Sequence, residues 1–418
     1  MLYHSLLSYK FPGVFIMVAA LFSATFAQTA DGFAGQNGGT TGGKGGKVVR
    51  ATTGTQIHQA LCGRTSRDEP VIIEVEGIIN HGNTAKASGM CNTADGLIEL
   101  KSVSNITIIG VGSGAVFDQL GIHIRDAKNI ILRNLTVRNV KKSGSPTSNG
   151  GDAIGMESNV SNVWVDHCTL EASGGEDEGF DALFDMKNGT KYVTLSYSIL
   201  KNSGRGGLVG SSDSDKDNGP VTFHHNIYKN IESRTPLLRF ATAHSFNNHY
   251  DGLSKSGMNP RIGGKIKAEN NYFENANNPL GTFYTTDMGY WDVKGNIWGN
   301  NVTWVPAEDE FPAGPNVAST ISISIPYDYT LDKTECLREI LAKTAGAGTN
   351  LAVSDGACTT TNINSGMAGS RQNTAYSHPA SNFNLLGRTL PNTTVSRIAV
   401  TEKGIAINGL GIQHIYSK

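Results

Sequence analysis

Short apolar stretches introduced by asparagine recur along this chain. Asn105-Ile106-Thr107-Ile108, Asn129-Ile130-Ile131-Leu132, Asn162-Val163-Trp164-Val165 and the related Tyr192-Val193-Thr194-Leu195 form the first part of the series. It continues through Asn226-Ile227-Tyr228, Asn248-His249-Tyr250, Asn271-Tyr272-Phe273 and Asn296-Ile297-Trp298, whose asparagines follow one another at intervals of 22, 23 and 25. Such a period, roughly 20–30 residues, marks a solenoid, and a unit this short has no room for a helix plus strands. The spacing therefore predicts an all-β fold, a right-handed parallel β-helix built as a single-chain solenoid, with long loops on one side where the unit spacing grows. Its coils would stack at about 4.8 Å. The recurring asparagine either ladders its amide with those above and below or simply tolerates left-handed backbone in a turn, and both roles are structural.

Composition agrees with many short strands. Of 418 residues, 50 are glycine, 17% are charged and 8% are aromatic. The net charge of -1, from 35 basic and 36 acidic residues, lacks the basic excess of a nucleic-acid binder. Any polyanion must then be held by local basic residues or by a metal. Lys10 ahead of the apolar run Val14 to Ala27, with Thr25-Phe26-Ala27 at its end, predicts a signal peptide over 1–27. No later segment is long and apolar enough to span a bilayer, so a secreted, extracellular monomer without membrane association is expected. Export permits disulfides. Of the five cysteines, one arrangement pairs Cys62 with Cys91 and Cys336 with Cys358, which leaves Cys168 as a buried thiol in the run Val163 to Leu170.

Candidate chemistry interrupts the repeats. Arg234-Thr235-Pro236-Leu237-Leu238-Arg239 sets two guanidiniums around a proline. On a regular strand positions 234 and 239 face opposite sides, so a bend at Pro236 is needed to bring both to one surface, where they would suit an acidic ligand. Otherwise they are solvated or paired with Glu232. The interval from Asp152 to Asp181 equals the one from Val163 to Tyr192 in the neighbouring units, which predicts one aspartate stacked on the other. Asp185 joins them if the chain bends after Asp181. Three converging carboxylates repel unless a cation intervenes, and carboxylate oxygens are what Ca²⁺ prefers. Arg234 falls about two coils further along. Asp166-His167 and His224-His225 read as structural hydrogen-bonding groups within strands. Gly42-Gly43-Lys44-Gly45-Gly46 lacks the spacing of a phosphate loop and reads as a flexible lead-in, while Asp213 and Asp215 read as part of a solvated loop.

Six motifs in order carry a resemblance to the pectate lyases of polysaccharide lyase family 1. They are Gly151-Asp152-Ala153-Ile154, Asn162 to His167, Asp181-Ala182-Leu183-Phe184-Asp185, Leu208 to Asp213, His224-His225-Asn226 and Arg234 to Arg239. The resemblance covers about residues 30–358. It implies that Asp152, Asp181 and Asp185 ligate Ca²⁺, that Arg234 is the catalytic base, and that Arg239 and Lys187 bind carboxylates of polygalacturonate. Arg205 stands where many members carry a lysine; the charge is kept and the hydrogen-bond geometry differs. The implied reaction is endo-acting β-elimination on de-esterified pectate, giving 4,5-unsaturated oligogalacturonides. The alternatives are a pectin lyase acting on methylated substrate, which has no need of the three aspartates, and a non-catalytic carbohydrate-binding β-helix. A hydrolase would require a paired acid and base, and none stands out.

The expected organisation is a signal peptide over 1–27, a lyase domain over 28–358, and a linker and tail over 359–418. In that tail Asn384 to Arg388 faintly resembles a sorting segment, with a disordered extension or a small hairpin as the other readings. N-x-[ST] sequons begin at Asn105, Asn134, Asn159, Asn188, Asn301 and Asn392.

Overall fold

A computed structural model describes residues 29–143 and 150–358, together with the backbone of strands Ile398–Thr401 and Gly404–Ile407. The predicted signal peptide and most of the tail lie outside the described residues. The chain divides into two compact units, Met1–Thr361 and Asn362–Lys418, and in the second the two strands pair as an antiparallel hairpin.

The first unit is a right-handed parallel β-helix. Three parallel sheets of ten, seven and nine strands run its length, and each complete coil contributes one strand to each sheet in turn. The repeats dictate this arrangement because every second residue of a strand points inward, and the inward positions are apolar in coil after coil. In the ten-stranded sheet the register aligns Ile106, Ile130, Val163, Val193, Val221, Ala243 and Ile266, all buried. Each larger aliphatic side chain so placed contributes about 1.5–3 kcal/mol relative to exposure.

The Asn-x-aromatic repeat makes two ladders at once. Asn226 donates its amide to Asn248 Oδ1 at 3.0 Å, Asn248 to Asn271 at 3.0 Å, and Asn271 to Asn296 at 3.0 Å. Two residues on, the rings of Tyr228, Tyr250, Phe273 and Trp298 stack inside the solenoid with centroids 4.6, 4.5 and 4.7 Å apart. These four asparagines are thus laddered, whereas Asn105, Asn129 and Asn162 of the upstream units take left-handed backbone, with φ of 58°, 58° and 55°.

Two helices depart from the pattern of strands. Gly54–Cys62, capped by the Thr53 hydroxyl, buries Ile57 and Leu61 over the N-terminal coils, and Leu337–Thr344 packs beside Ile199, Ile227 and Tyr272. Disulfides join Cys62 to Cys91 and Cys336 to Cys358, and Cys168 is a buried free thiol whose pKa is pushed up to about 12 by desolvation. The glycine run 42–46 is not a loose lead-in. Gly42 N and Gly43 N donate to Asn129 Oδ1 and Thr107 Oγ1, and a Cβ on Gly43 would lie 1.9 Å from the carbonyl of Val71, so only glycine permits this approach to the sheet.

The histidine pairs are structural. His167 and Asp166 are fully buried, and Asp166 also accepts from Arg133 and Ser196. His225 meets Asp332 at 3.0 Å and His244 meets Glu269 at 3.2 Å. Burial lowers the pKa of both imidazoles below the ordinary 6.5, outweighing the carboxylates that oppose it. The unfolded chain therefore takes up these protons first. Stability held above pH 6.5 falls as pH drops through that value toward the folded pKa, with a slope of up to about 1.4 kcal/mol per pH unit for each histidine. Urea unfolding between pH 7.5 and pH 5 is expected to show this fall, and His225→Gln to flatten it. A midpoint that holds steady or rises over that range would contradict the assignment.

Candidate active site

The groove floor is the seven-stranded sheet, whose strands are Leu97–Lys101, Gly121–Arg125, Ile154–Glu157, Phe184–Met186, Leu208–Val209, Leu237–Arg239 and Asn259–Arg261. Its strands are short because the long loops leave and return beside them. Asp152 stands just ahead of Ile154–Glu157. Backbone bonds from Asp181 N to Gly151 O (3.2 Å) and from Ala153 N to Ala182 O (3.0 Å) lay that coil against the next, so Asp152 and Asp181 are stacked neighbours. Asp185 lies inside Phe184–Met186, buried, its Oδ1 accepting from Leu208 N at 3.0 Å.

The aspartates are held by cations of the chain itself. Lys187 Nζ sits 3.2 Å from Asp152 Oδ2 and 2.9 Å from Asp185 Oδ2. Asp181 accepts from Arg205 Nη1 at 2.8 Å and lies 3.8 Å from Lys142 Nζ, while Arg205 and Lys142 also pair with Glu176. Burial, together with Asp185 and Asp181, pushes the Asp152 carboxyl up to about 8 despite Lys187. Burial would likewise lower Lys187, but Asp185 and Asp152 outweigh it and raise its pKa. Among the described residues no three acidic, histidine or cysteine side chains are gathered tightly enough to hold a metal unaided. The donors nonetheless suit a hard divalent cation, since all are carboxylate oxygens, and the ammonium bridging two of them is a stand-in for positive charge at that point.

Arg234 lies two coils on, where Leu208 and Val209 pair with Leu237 and Leu238. The chain turns at Arg234 itself, with φ 62°, and the following Thr235–Pro236 peptide is cis. The bend expected at Pro236 thus begins two residues earlier, in a left-handed residue. The Arg234 guanidinium is half-buried and makes no hydrogen bond or ion pair among the described residues. Burial lowers its pKa, Arg205 and Arg239 push the same way, and Asp185 and Asp181 oppose. Glu232 is not its partner; that carboxylate pairs with Lys255.

Arg239 is positioned by Asp213 Oδ1 at 3.0 Å and by the carbonyl of Gly210 at 2.8 Å. Asp213 is therefore a tether, and Asp215 is no solvated loop residue: buried, it accepts from the backbone of Asn188 and Ser211 and from Asn218. Arg261, paired in register with Arg239, escaped the sequence reading. It is buried, its Nε has no partner, and burial with Arg239 and Arg234 nearby lowers its pKa to about 10. The signal was present: the interval from Arg239 to Arg261 is the same as that from Asn226 to Asn248.

Acidic and basic side chains thus face each other along one sheet of a parallel β-helix. A pectate lyase family profile matches residues 5–350, and the chain belongs to that family. It is 38% identical over 318 residues to the pectate trisaccharide-lyase of Bacillus licheniformis, covering 76% of this chain and 86% of that one. Pectate lyase B of Dickeya chrysanthemi is 34% identical over 305 residues, covering 68% and 79%. Among solved structures, a pectate lyase from a Bacillus species in complex with trigalacturonate superposes with a TM-score of 0.64 at 31% identity, over 77% of this chain and 99% of the other. Pectate lyase C of Erwinia chrysanthemi, determined with Ca²⁺, gives 0.65 at 27% identity over 76% and 97%. The protein is accordingly an enzyme of the lyase class.

Proposed function

We propose that this is a secreted, Ca²⁺-dependent pectate lyase that cleaves de-esterified polygalacturonate by β-elimination, with Arg234 as base. The observation that carries the reading is Arg234 itself, a half-buried guanidinium with no partner of its own among the described residues, set between Arg205 and Arg239, two coils from Asp181 and Asp185 and three from Asp152. A carboxylate polymer lying along the sheet would meet Arg239 and, through exchange of their present aspartate partners, Lys187 and Arg205.

The C5 proton of a galacturonate is adjacent to the C6 carboxylate, so removing it adds charge to a group already anionic. Arg234, entered as the neutral base, takes that proton; the C5–H electrons form the C4–C5 double bond, and the C4–O4 bond breaks with its electrons leaving on oxygen. Held by Asp152, Asp181 and Asp185, Ca²⁺ would supply Lewis-acid neutralisation of the substrate carboxylate. Arg239 and Arg261 hold positive charge where carboxylate density increases. A pectin lyase has no use for three aspartates in the groove, and a purely binding β-helix has none for an unpaired, half-buried arginine.

The test is ultraviolet absorbance during incubation with polygalacturonate, since only elimination makes a conjugated unsaturated product. A steady rise is expected. New reducing ends without absorbance would indicate hydrolysis and remove the reading.

A further inference from the structure

The groove does not stop at Asp152. On the side of the N-terminal coils it opens into a pocket of about 240 Å³ walled by His123, Arg125, Gly155 and Glu157, with Asp152 and Lys187 shared with the site described above. Register explains its charge. Arg125 pairs across strands with Lys101 on one side and Glu157 on the other, and Arg239 pairs with Arg261. One step beyond the Met156–Met186 pair places Glu157 beside Lys187. A single outward column thus runs along the sheet through Lys101, Arg125, Glu157, Lys187, Arg239 and Arg261, and Arg125 stands two coils, about 10 Å, from Lys187.

Arg125 is held but not used up. Its Nε lies 3.0 Å from Glu157 Oε1, and the same oxygen is 3.5 Å from His123 Nε2. Its guanidinium makes no hydrogen bond among the described residues, and the side chain is 37% exposed. Glu157 approaches the guanidinium at its Nε edge, so the outer face of the fork stays open to the pocket. The floor between is open because Gly155 has no side chain; a Cβ there would lie 3.1 Å from Asp152 Oδ2 and 3.5 Å from the His123 ring.

We infer that this pocket is a distal uronate subsite: the free fork of Arg125 takes a carboxylate of the acidic polysaccharide, and the Gly155 floor beside His123 seats its sugar ring. The inference rests on the pectate reading of the groove. Glu157 orients Arg125 and competes with the incoming carboxylate for it.

Binding of saturated tri- and hexagalacturonate, measured by calorimetry in the slow Arg234→Lys background, separates the possibilities. Arg125→Ala in that background is expected to weaken hexamer binding about tenfold, as loss of a charge-assisted contact does, and trimer binding less than about twofold. Glu157→Gln is expected to tighten the hexamer, with thermal midpoints confirming that each variant is folded. Equal losses for both lengths would put Arg125 in the central site, and no loss for either would remove it from substrate contact; each overturns the subsite. If Arg125→Ala does not fold, failure of Glu157→Gln to change hexamer affinity overturns it. If the parent binds neither oligomer, the pectate reading falls with it, whereas normal parent binding with unmoved variants sinks the subsite alone.

Discussion

Arg234→Lys is expected to lower kcat on polygalacturonate by about 10²–10⁴-fold, the range general-base catalysis supplies, while leaving the unfolding midpoint nearly unmoved. The side chain makes no hydrogen bond or ion pair among the described residues, so its replacement breaks no folded-state bond. The lysine keeps the charge but not the reach or the planar fork. An isolated arginine stays protonated at any ordinary pH, and here burial, Arg205 and Arg239 all act to weaken that hold, against Asp185 and Asp181. The sign is definite: the reactive form gains population as pH rises. Wild-type kcat should climb on its acid limb by about tenfold per pH unit toward an alkaline optimum. A profile peaking in mild acid, or a lysine variant with near-native turnover, would mean that another group is the base.

The second large effect is loss of activity on chelation. Asp152, Asp181 and Asp185 bring three carboxyl groups into a partly buried groove, and Lys187 and Arg205 pair with them there. A divalent ion at the aspartates would release both side chains. A chelator is therefore expected to lower the rate by about 10²-fold or more, the equivalent of several kcal/mol of charge stabilisation, and added Ca²⁺ to restore it. Asp185→Asn should raise the Ca²⁺ concentration needed for half-activity. Full activity in chelator would discard the metal assignment while leaving Arg234 in place.

Much of this was legible because a solenoid turns sequence interval into distance. Where coil length is nearly constant, from Asn226 to Asn296, the ladder could be counted off directly, and the same arithmetic stacked Asp152 on Asp181 and set Arg234 two coils away. It failed where side chains choose among partners. Nothing in the spacing indicated that Lys187 would bridge Asp152 and Asp185, or that Arg205 would pair with Asp181 and Glu176, because long flexible side chains settle by local charge rather than by register. Arg261 belongs to no motif, and only the column it shares with Arg239, at the interval of the asparagine ladder, marks it. The glycine run at 42–46 misled for a related reason: glycine signals freedom and close approach alike, and only the neighbouring carbonyl of Val71 decides which. The helix Gly54–Cys62 is one short amphipathic segment in a chain of strands and gave no periodic signal against that background.

In a stack of coils each layer is supported only by the two beside it, so loosening begins at the ends and must work inward layer by layer. The layers carrying Asp152, Asp181 and Arg234 follow two strands of the groove sheet and precede another, with helix Gly54–Cys62 and its disulfide at the N-terminal side. End fraying is thereby absorbed by coils that hold no reacting group.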